Sequence, residues 1–276
     1  MSRSDFFLGI DLGSSSVKTC IYDIGSGKSI DSFTYPDSEM EIISEQDGWA
    51  EQDPNYWWEC ISHTFDHLRE KNDFQSIRAI GISYQMHGLV VVDKKYNPLH
   101  NAIIWCDSRA VETGQKAEIE IDNDIFKMKT LNTPGNFTAS KLKWLQDNKE
   151  DIYDKIHKIM LPGDFIVHKL TNKLTTTPMG LSEGIMWDFQ SQAVSEDILD
   201  YYNIKNTLIP HVVDSIGDQG TVSDDMVERF GFGKDIKVSY RAGDQPNNAF
   251  SLNVLEPGEI AATAGTSAVI YSVTDK

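Results

Sequence analysis

Two carboxylates stand in turns that favour charge chemistry. The first lies in FFLGIDLGSSSVKTCIYD, residues 6–23, where Asp11 precedes a turn containing Gly13, Ser14, Ser15 and Ser16. Such a turn presents backbone N–H groups and hydroxyls to an anion. An acid beside those donors makes sense when a divalent cation lies between it and a phosphate, because Mg²⁺ takes carboxylate oxygens, phosphate oxygens and retained waters together. The competing reading is a tight hairpin whose acid bonds its own turn amides. The second carboxylate is Asp244 in AGDQPNNAF, residues 242–250. Gly243 lets the backbone turn sharply there, and Asp244 falls at the N-cap of the helix that follows. Amide donors and the positive end of the helix dipole keep such a carboxylate ionised, and a fixed, ionised carboxylate can accept a proton from an alcohol. Helix capping alone explains the same spacing.

Two further stretches end strands in polar groups. SYQMHGL, residues 83–89, places Met86 and His87 where the ligands of α/β sheets sit; His87 offers a donor and an acceptor, which suits sugar hydroxyls. A hydrogen-bonded structural histidine is the bland alternative. WCDSR, residues 105–109, joins an aromatic, Trp105, to an acid, Asp107. A ring face beside a carboxylate suits a carbohydrate, and a loop ion pair is the commoner outcome. His63, His67 and His157 fall in helical patterns with no matched partners and read as structural. Neither a Walker loop nor a Gly-x-Gly-x-x-Gly fingerprint fits the first turn, since Gly9 and Gly13 are four apart and a strand follows.

The elements that must hold these groups read as follows. The first turn joins two strands, and residues 30–35 add a third. Residues 50–71 form a helix with Asp53 as N-cap, Pro54 at the first helical position and Trp57, Ile61, Phe65 and Leu68 on one face. Strands follow in SIRAIGISYQ, LVVVDKKYNPL and NAIIWCDSR, then helices in TASKLKWLQDNKEDIY, PGDFIVHKLT and SDDMVERFG. KVSYRAG is a strand, DQPNNAFSL opens a helix, and EIAATAGTSAVIYSV is a hairpin that repeats the logic of the first. Strands alternating with helices mean α/β. A sheet begun so close to Lys276 reads as a cut chain.

The chain has 276 residues, which suits two domains, and a formal net charge of −17, which argues against nucleic-acid and anionic-membrane surfaces. No apolar run approaches the roughly 20 residues of a membrane span, and the N-terminus lacks a secretory apolar core. Three widely spaced cysteines indicate neither a disulfide frame nor a zinc site. A reduced, cytoplasmic protein is expected.

Taken in order, IDLGSSSVK, EQDPNYWW, GISYQMHG, IIWCDSRA, PGNFTASKLKWL, MLPGDFIVHKLTN, AGDQPNNA and TAGTSAVIY resemble segments of the FGGY carbohydrate kinases, most of all the xylulokinases among them. The resemblance covers nearly the whole chain but only the front half or so of such an enzyme. It implies a ribonuclease-H-like (actin-like) α/β fold, with a sugar-binding domain over residues 1–236 and the beginning of an ATP-binding domain over 237–276. It implies ATP and Mg²⁺ as cofactors and D-xylulose as substrate, phosphorylated on its 5-hydroxyl. Oligomeric state, a homodimer included, is left open. Matched residue by residue, Asp244 becomes the general base and Asp11 the acid near Mg²⁺. Met86 and His87, with Trp105 and Asp107, would hold the sugar. Gly13, Ser14, Ser15 and Ser16 on one wall, and Gly265 and Thr266 on the other, would grip the phosphates. The chain departs from the family at Gln245-Pro246, where Asn-Ala is usual after the Asp, and at Ala268, where Gly is usual. The FGGY signature and the adenine pocket are absent. Other sugars or polyols (ribulose, gluconate, glycerol), a nonenzymatic sugar-binding module, and an actin-like ATPase are the alternatives.

Overall fold

The computed structural model describes residues 5–264 and 268–275. Its centre is a five-stranded sheet. β1 (Phe6–Leu12), β2 (Val17–Asp23) and β3 (Lys28–Tyr35) form an antiparallel meander. Alternation sets the faces: Leu8, Ile10 and Leu12 of β1 and Val17, Thr19 and Ile21 of β2 are buried, while Asp11 and Lys18 point the other way as in-register partners.

The helix α1 (Pro54–Arg69) carries the chain back across the buried face. Asp53 accepts from the Asn55 amide at 2.8 Å, and Pro54 occupies the first turn, as expected. Trp57, Ile61, Phe65 and Leu68 are fully enclosed against the sheet, and each such side chain contributes about 1.5–3 kcal/mol. A buried Thr19–Thr64 hydroxyl pair at 2.6 Å ties the helix to β2. The crossover delivers β4 (Ile77–Tyr84), parallel to β1.

The helices α2 (Thr138–Asn148), α3 (Pro162–Thr171), α4 (Pro178–Glu183) and α5 (Asp224–Phe230) follow. The helical run expected over 138–153 is broken at Lys149, whose φ of −141° lies outside the helical region. The strand expected in NAIIWCDSR is limited to Ala102–Ile103. β5 (Lys237–Gly243) then runs parallel to β4, giving the order β5-β4-β1-β2-β3. An antiparallel meander extended by two parallel strands is the ribonuclease-H-like arrangement. The expected domain boundary at 237 therefore cuts through this sheet, because residues 237–243 are its edge strand.

After β5 come α6 (Asp244–Ser251) and an antiparallel hairpin of β6 (Ile260–Ala264) and β7 (Ala268–Ser272), which forms its own two-stranded sheet. Two hydrophobic clusters support the molecule. One lies between the sheet, α1, α3 and α5, and the other surrounds α2 and α4. Among the described residues, no helix is long and apolar enough to cross a membrane, and Cys20, Cys60 and Cys106 are free thiols.

Candidate active site

β1, β4 and β5 are parallel, so their carboxyl ends meet at one edge of the sheet. The register pairs Asp11 with Ser83, Leu12 with Tyr84, and Tyr84 with Gly243. Topology alone thus gathers Asp11 with its turn, Gln85-Met86-His87, and Asp244. Such edges are where open α/β sheets bind ligands. A cleft of about 610 Å³ lies there, lined by Asp11, residues 13–16, Lys18, Gln85, Met86, His87, Trp105, Asp244 and Gln245 among others.

The turn is held from behind. The Gly13 amide donates to the Ser16 carbonyl at 3.0 Å, the Met40 amide to the Ser15 carbonyl at 2.8 Å, and Gln52 Nε2 to the Ser14 carbonyl at 2.7 Å. Gln52 is itself fixed through Oε1, which accepts from Gln85 Nε2 and Trp57 Nε1, each at 3.0 Å. With its carbonyls engaged in the protein, the turn leaves hydroxyls and amides for the cleft. Gln85 reads from the sequence only as a polar group at the strand end, and Gln52 gives no signal there, since a lone glutamine carries no positional signature.

Asp11 stands between Lys18 on β2 and Ser83 on β4. Partial burial raises its carboxyl pKa, while the Ser83 hydroxyl and the Lys18 ammonium pull it down. Water still reaches Asp11 on its open side, which limits the rise.

Asp244 is the first residue of α6, with Gly243 at the N-cap, one position from the expectation. The consequence expected of a cap survives, because the Gln245 amide favours the ionised form, but burial wins and the pKa is raised, with Asp11 adding repulsion. Gly243 has an ordinary φ of −58°, so the sharp turn expected of it is not the reason for glycine. Space is: a Cβ there would lie 2.3 Å from Met86 Cγ and 2.7 Å from Glu183 Oε2.

His87 is held in the left-handed region, φ 59°, uncommon outside glycine and a frequent mark of functional strain. Its Nδ1 lies 2.9 Å from the Glu183 carbonyl oxygen, and its ring packs on Phe137 at 4.2 Å between centroids. Burial lowers its pKa to about 4, so the ring is neutral. A carbonyl can only accept, so Nδ1 carries the proton and Nε2 is left as an acceptor. The donor expected for a sugar is therefore used internally. Lys141, buried in α2, donates from Nζ to the carbonyls of His87 at 2.8 Å and Ile104 at 2.9 Å, and burial lowers its pKa to about 8. It clamps the loop after β4 to the loop that carries Trp105. Sequence periodicity gave no hint of it.

Trp105 stands on the cleft wall, 53 % exposed, with its indole N–H 3.4 Å from Ser14 Oγ. Asp107 does not reach the cleft. It is fully buried, pairs with Arg109 at 2.7 Å and accepts from the Ala50 amide at 2.6 Å. Arg109 also pairs with Glu51 at 2.7 Å and stacks 3.8 Å from the Trp49 ring centroid. The loop ion pair is the outcome here. Gly265 and Thr266 lie outside the described residues.

Among the described residues, no group of three or more His, Cys, Asp or Glu could hold a metal ion. That is compatible with Mg²⁺, which is bound through one or two carboxylates plus phosphate oxygens and waters. Asp11 and Asp244 line the same cleft, and the charge of Asp11 disfavours the ionised form of Asp244. Chemically, the cleft combines anion-binding hydroxyls and amides, a lysine, two carboxylates and a histidine acceptor.

The family model of the FGGY carbohydrate kinases, N-terminal domain, matches residues 6–251. A xylulose kinase of Staphylococcus xylosus is 28 % identical over 269 residues, covering 97 % of this chain and 55 % of the relative. A ligand-bound xylulose kinase from Lactobacillus acidophilus superposes with a TM-score of 0.87 at 25 % identity, over 96 % of this chain and 54 % of that one. A gluconate kinase from Lactobacillus acidophilus superposes with a TM-score of 0.88 at 25 % identity, over 97 % and 54 %. The chain thus spans about half the length of the relatives it matches.

Proposed function

Because the chain belongs to the FGGY family of carbohydrate kinases, we propose that it forms the sugar-binding part of an ATP-dependent kinase whose substrate is D-xylulose. The reaction forms a bond between the sugar 5-oxygen and the γ-phosphorus, breaks the bond from that phosphorus to the β–γ bridging oxygen, and releases ADP. Asp244 takes the hydroxyl proton. Its raised pKa makes it a stronger base than an ordinary aspartate. His87 Nε2 accepts from another sugar hydroxyl, Met86 packs against the carbon chain, and Trp105 supplies an exposed ring face on the same wall. The amides and hydroxyls of residues 13–16, with Lys18, hold phosphoryl oxygens. Gly265 and Thr266 would do so from the opposite wall. Asp11 would hold Mg²⁺, which supplies neutralisation of the charge on the transferring phosphoryl group when bound with ATP.

The observation that carries this reading is the meeting of Asp244, Asp11 and the hydroxyl-rich turn at one sheet edge, beside the free acceptor of His87. By itself this chain is expected to bind sugar weakly and to turn over no ATP, since relatives of this family are nearly twice as long. A coupled ADP-release assay on the complete gene product, with xylulose, ribulose, gluconate and glycerol, tests the proposal. Turnover with xylulose well above the others is expected; ATP turnover indifferent to any sugar would sink it.

A further inference from the structure

Past His87 the cleft opens into a second chamber of about 500 Å³. Met86 and His87 line both spaces, whereas Asp11 and residues 14–16 line only the first, so this chamber lies away from the phosphate-binding turn. Glu183, the last residue of α4, sits in its wall and is 8 % exposed. Its Oε1 is sealed in without a well-formed hydrogen bond, its carboxyl interacts with the equally buried Tyr84 hydroxyl, and its Oε2 stands against Gly243. No lysine or arginine is found among the described residues that line the chamber.

We propose that Glu183 is a specificity-determining residue, which together with His87 Nε2 reads the end of the sugar remote from the phosphorylated hydroxyl and selects an uncharged ketose or polyol over a sugar acid. The inference rests on the sugar-kinase reading above and narrows its substrate class.

An ionised carboxylate would be costly here, because the group is buried with only the Tyr84 hydroxyl and the His87 amide to offset its lost hydration. Burial raises the Glu183 pKa well above its usual range, with repulsion from Asp164 and Asp244 adding to the rise, while the His87 amide and the Tyr84 hydroxyl oppose it. Burial thus favours the carboxylic acid form of Glu183, a hydrogen-bond donor, where the residue lines the chamber. Beside the polar side chains of Thr130, Asn132, Ser182 and Gln192, the chamber then offers the pairing of a donor, Glu183 O–H, with an acceptor, His87 Nε2. A ketose end satisfies both, since its carbonyl or hydroxyl oxygen accepts and its hydroxyl donates. A carboxylate end has no proton to give His87 Nε2, and among the described residues no lysine or arginine lines the chamber to offset its charge.

The test is calorimetric titration of the 276-residue protein with D-xylulose and with D-gluconate, alone and in competition. Wild-type protein should prefer xylulose by about tenfold or more, in line with the loss of a paired polar contact. Glu183→Gln keeps a donor and should bind xylulose within about threefold of wild type, while Glu183→Leu should weaken it about tenfold. Thermal unfolding reports whether each variant is folded, and if Glu183→Leu is not, the wild-type preference and Glu183→Gln decide. Gluconate bound as tightly as xylulose, loss of xylulose binding in Glu183→Gln, or full binding in folded Glu183→Leu would each overturn the assignment alone. Failure of wild type to bind either sugar would instead overturn the sugar-kinase reading on which it rests.

Discussion

Nδ1 of His87 stands 2.9 Å from the backbone carbonyl oxygen of Glu183, 96 positions further along the chain. That contact fixes the imidazole tautomer and leaves Nε2 for the cleft. The loop after β4 is thereby tied to the end of α4, so the shape of the sugar site depends on both.

His87→Asn keeps a donor near the Nδ1 position and removes the Nε2 acceptor. Sugar affinity should fall by about 2- to 13-fold, the worth of one neutral hydrogen bond, while the unfolding midpoint stays close to wild type. A midpoint collapse with unchanged affinity would make His87 a purely structural residue. The lowered pKa also has a sign. Between about 4 and the ordinary histidine value of 6.5 the unfolded chain binds the proton that the folded chain refuses. His87 therefore withdraws stability as pH falls through that window, and sugar affinity should be flat above it.

Asp244→Asn should lower turnover of the complete enzyme by about 10²–10⁴-fold with sugar KM changed only a few-fold, because it removes a proton acceptor rather than a binding contact. The kcat profile of the wild type should rise with pH through a value above that of ordinary aspartate, since burial holds Asp244 protonated longer. Retention of more than about a tenth of wild-type turnover would remove Asp244 from the role of base.

Asp11→Ala should change the Mg²⁺ requirement and leave sugar affinity nearly unaltered. Titrating Mg²⁺ at saturating sugar measures the first, and calorimetry the second. An unchanged Mg²⁺ dependence with full activity would reduce Asp11 to a turn residue beside Lys18 and Ser83.

Gly243→Ala puts a methyl group 2.3 Å from Met86 Cγ and 2.7 Å from Glu183 Oε2. Overpacking of that kind costs about 1–3 kcal/mol, and the flexible Met86 is the neighbour able to yield. Chemical denaturation should register the loss, and sugar binding should weaken because Met86 moves in the cleft. Unaltered stability and binding would show that the close approach is not maintained in solution.

Arg241 and Asp164 form a 2.9 Å ion pair with both side chains essentially buried, whereas Lys143 and Asp147 pair at 2.5 Å on the surface. Arg241→Met leaves a buried carboxylate alone and should cost about 3–5 kcal/mol. Lys143→Ala should cost under about 1 kcal/mol. Equal effects in a denaturant series would contradict the burial contrast.

The amino-acid sequence determined local things, because local physics is written in short spacings. Alternation in residues 6–23 specified a hairpin, and Asp53-Pro54 with Trp57, Ile61, Phe65 and Leu68 specified α1. The ordered segments specified the family. Asp11, Met86, His87, Trp105 and Asp244 were identifiable because each ends a strand or opens a turn or helix. What the sequence could not decide was contact between distant segments. Asp107 and Trp105 are two residues apart in one loop, yet chain packing buries the first under Arg109 and opens the second to the cleft. Gly243 reads as the residue of a sharp turn until the fold brings Met86 and Glu183 against it. Lys141 sits in an ordinary helical pattern and Glu183 in a stretch that carried no signal, and only tertiary packing places them around His87. A side chain's hydrogen-bonding role depends on which of its atoms remain unpaired after folding, and that count exists only once every neighbour is in place.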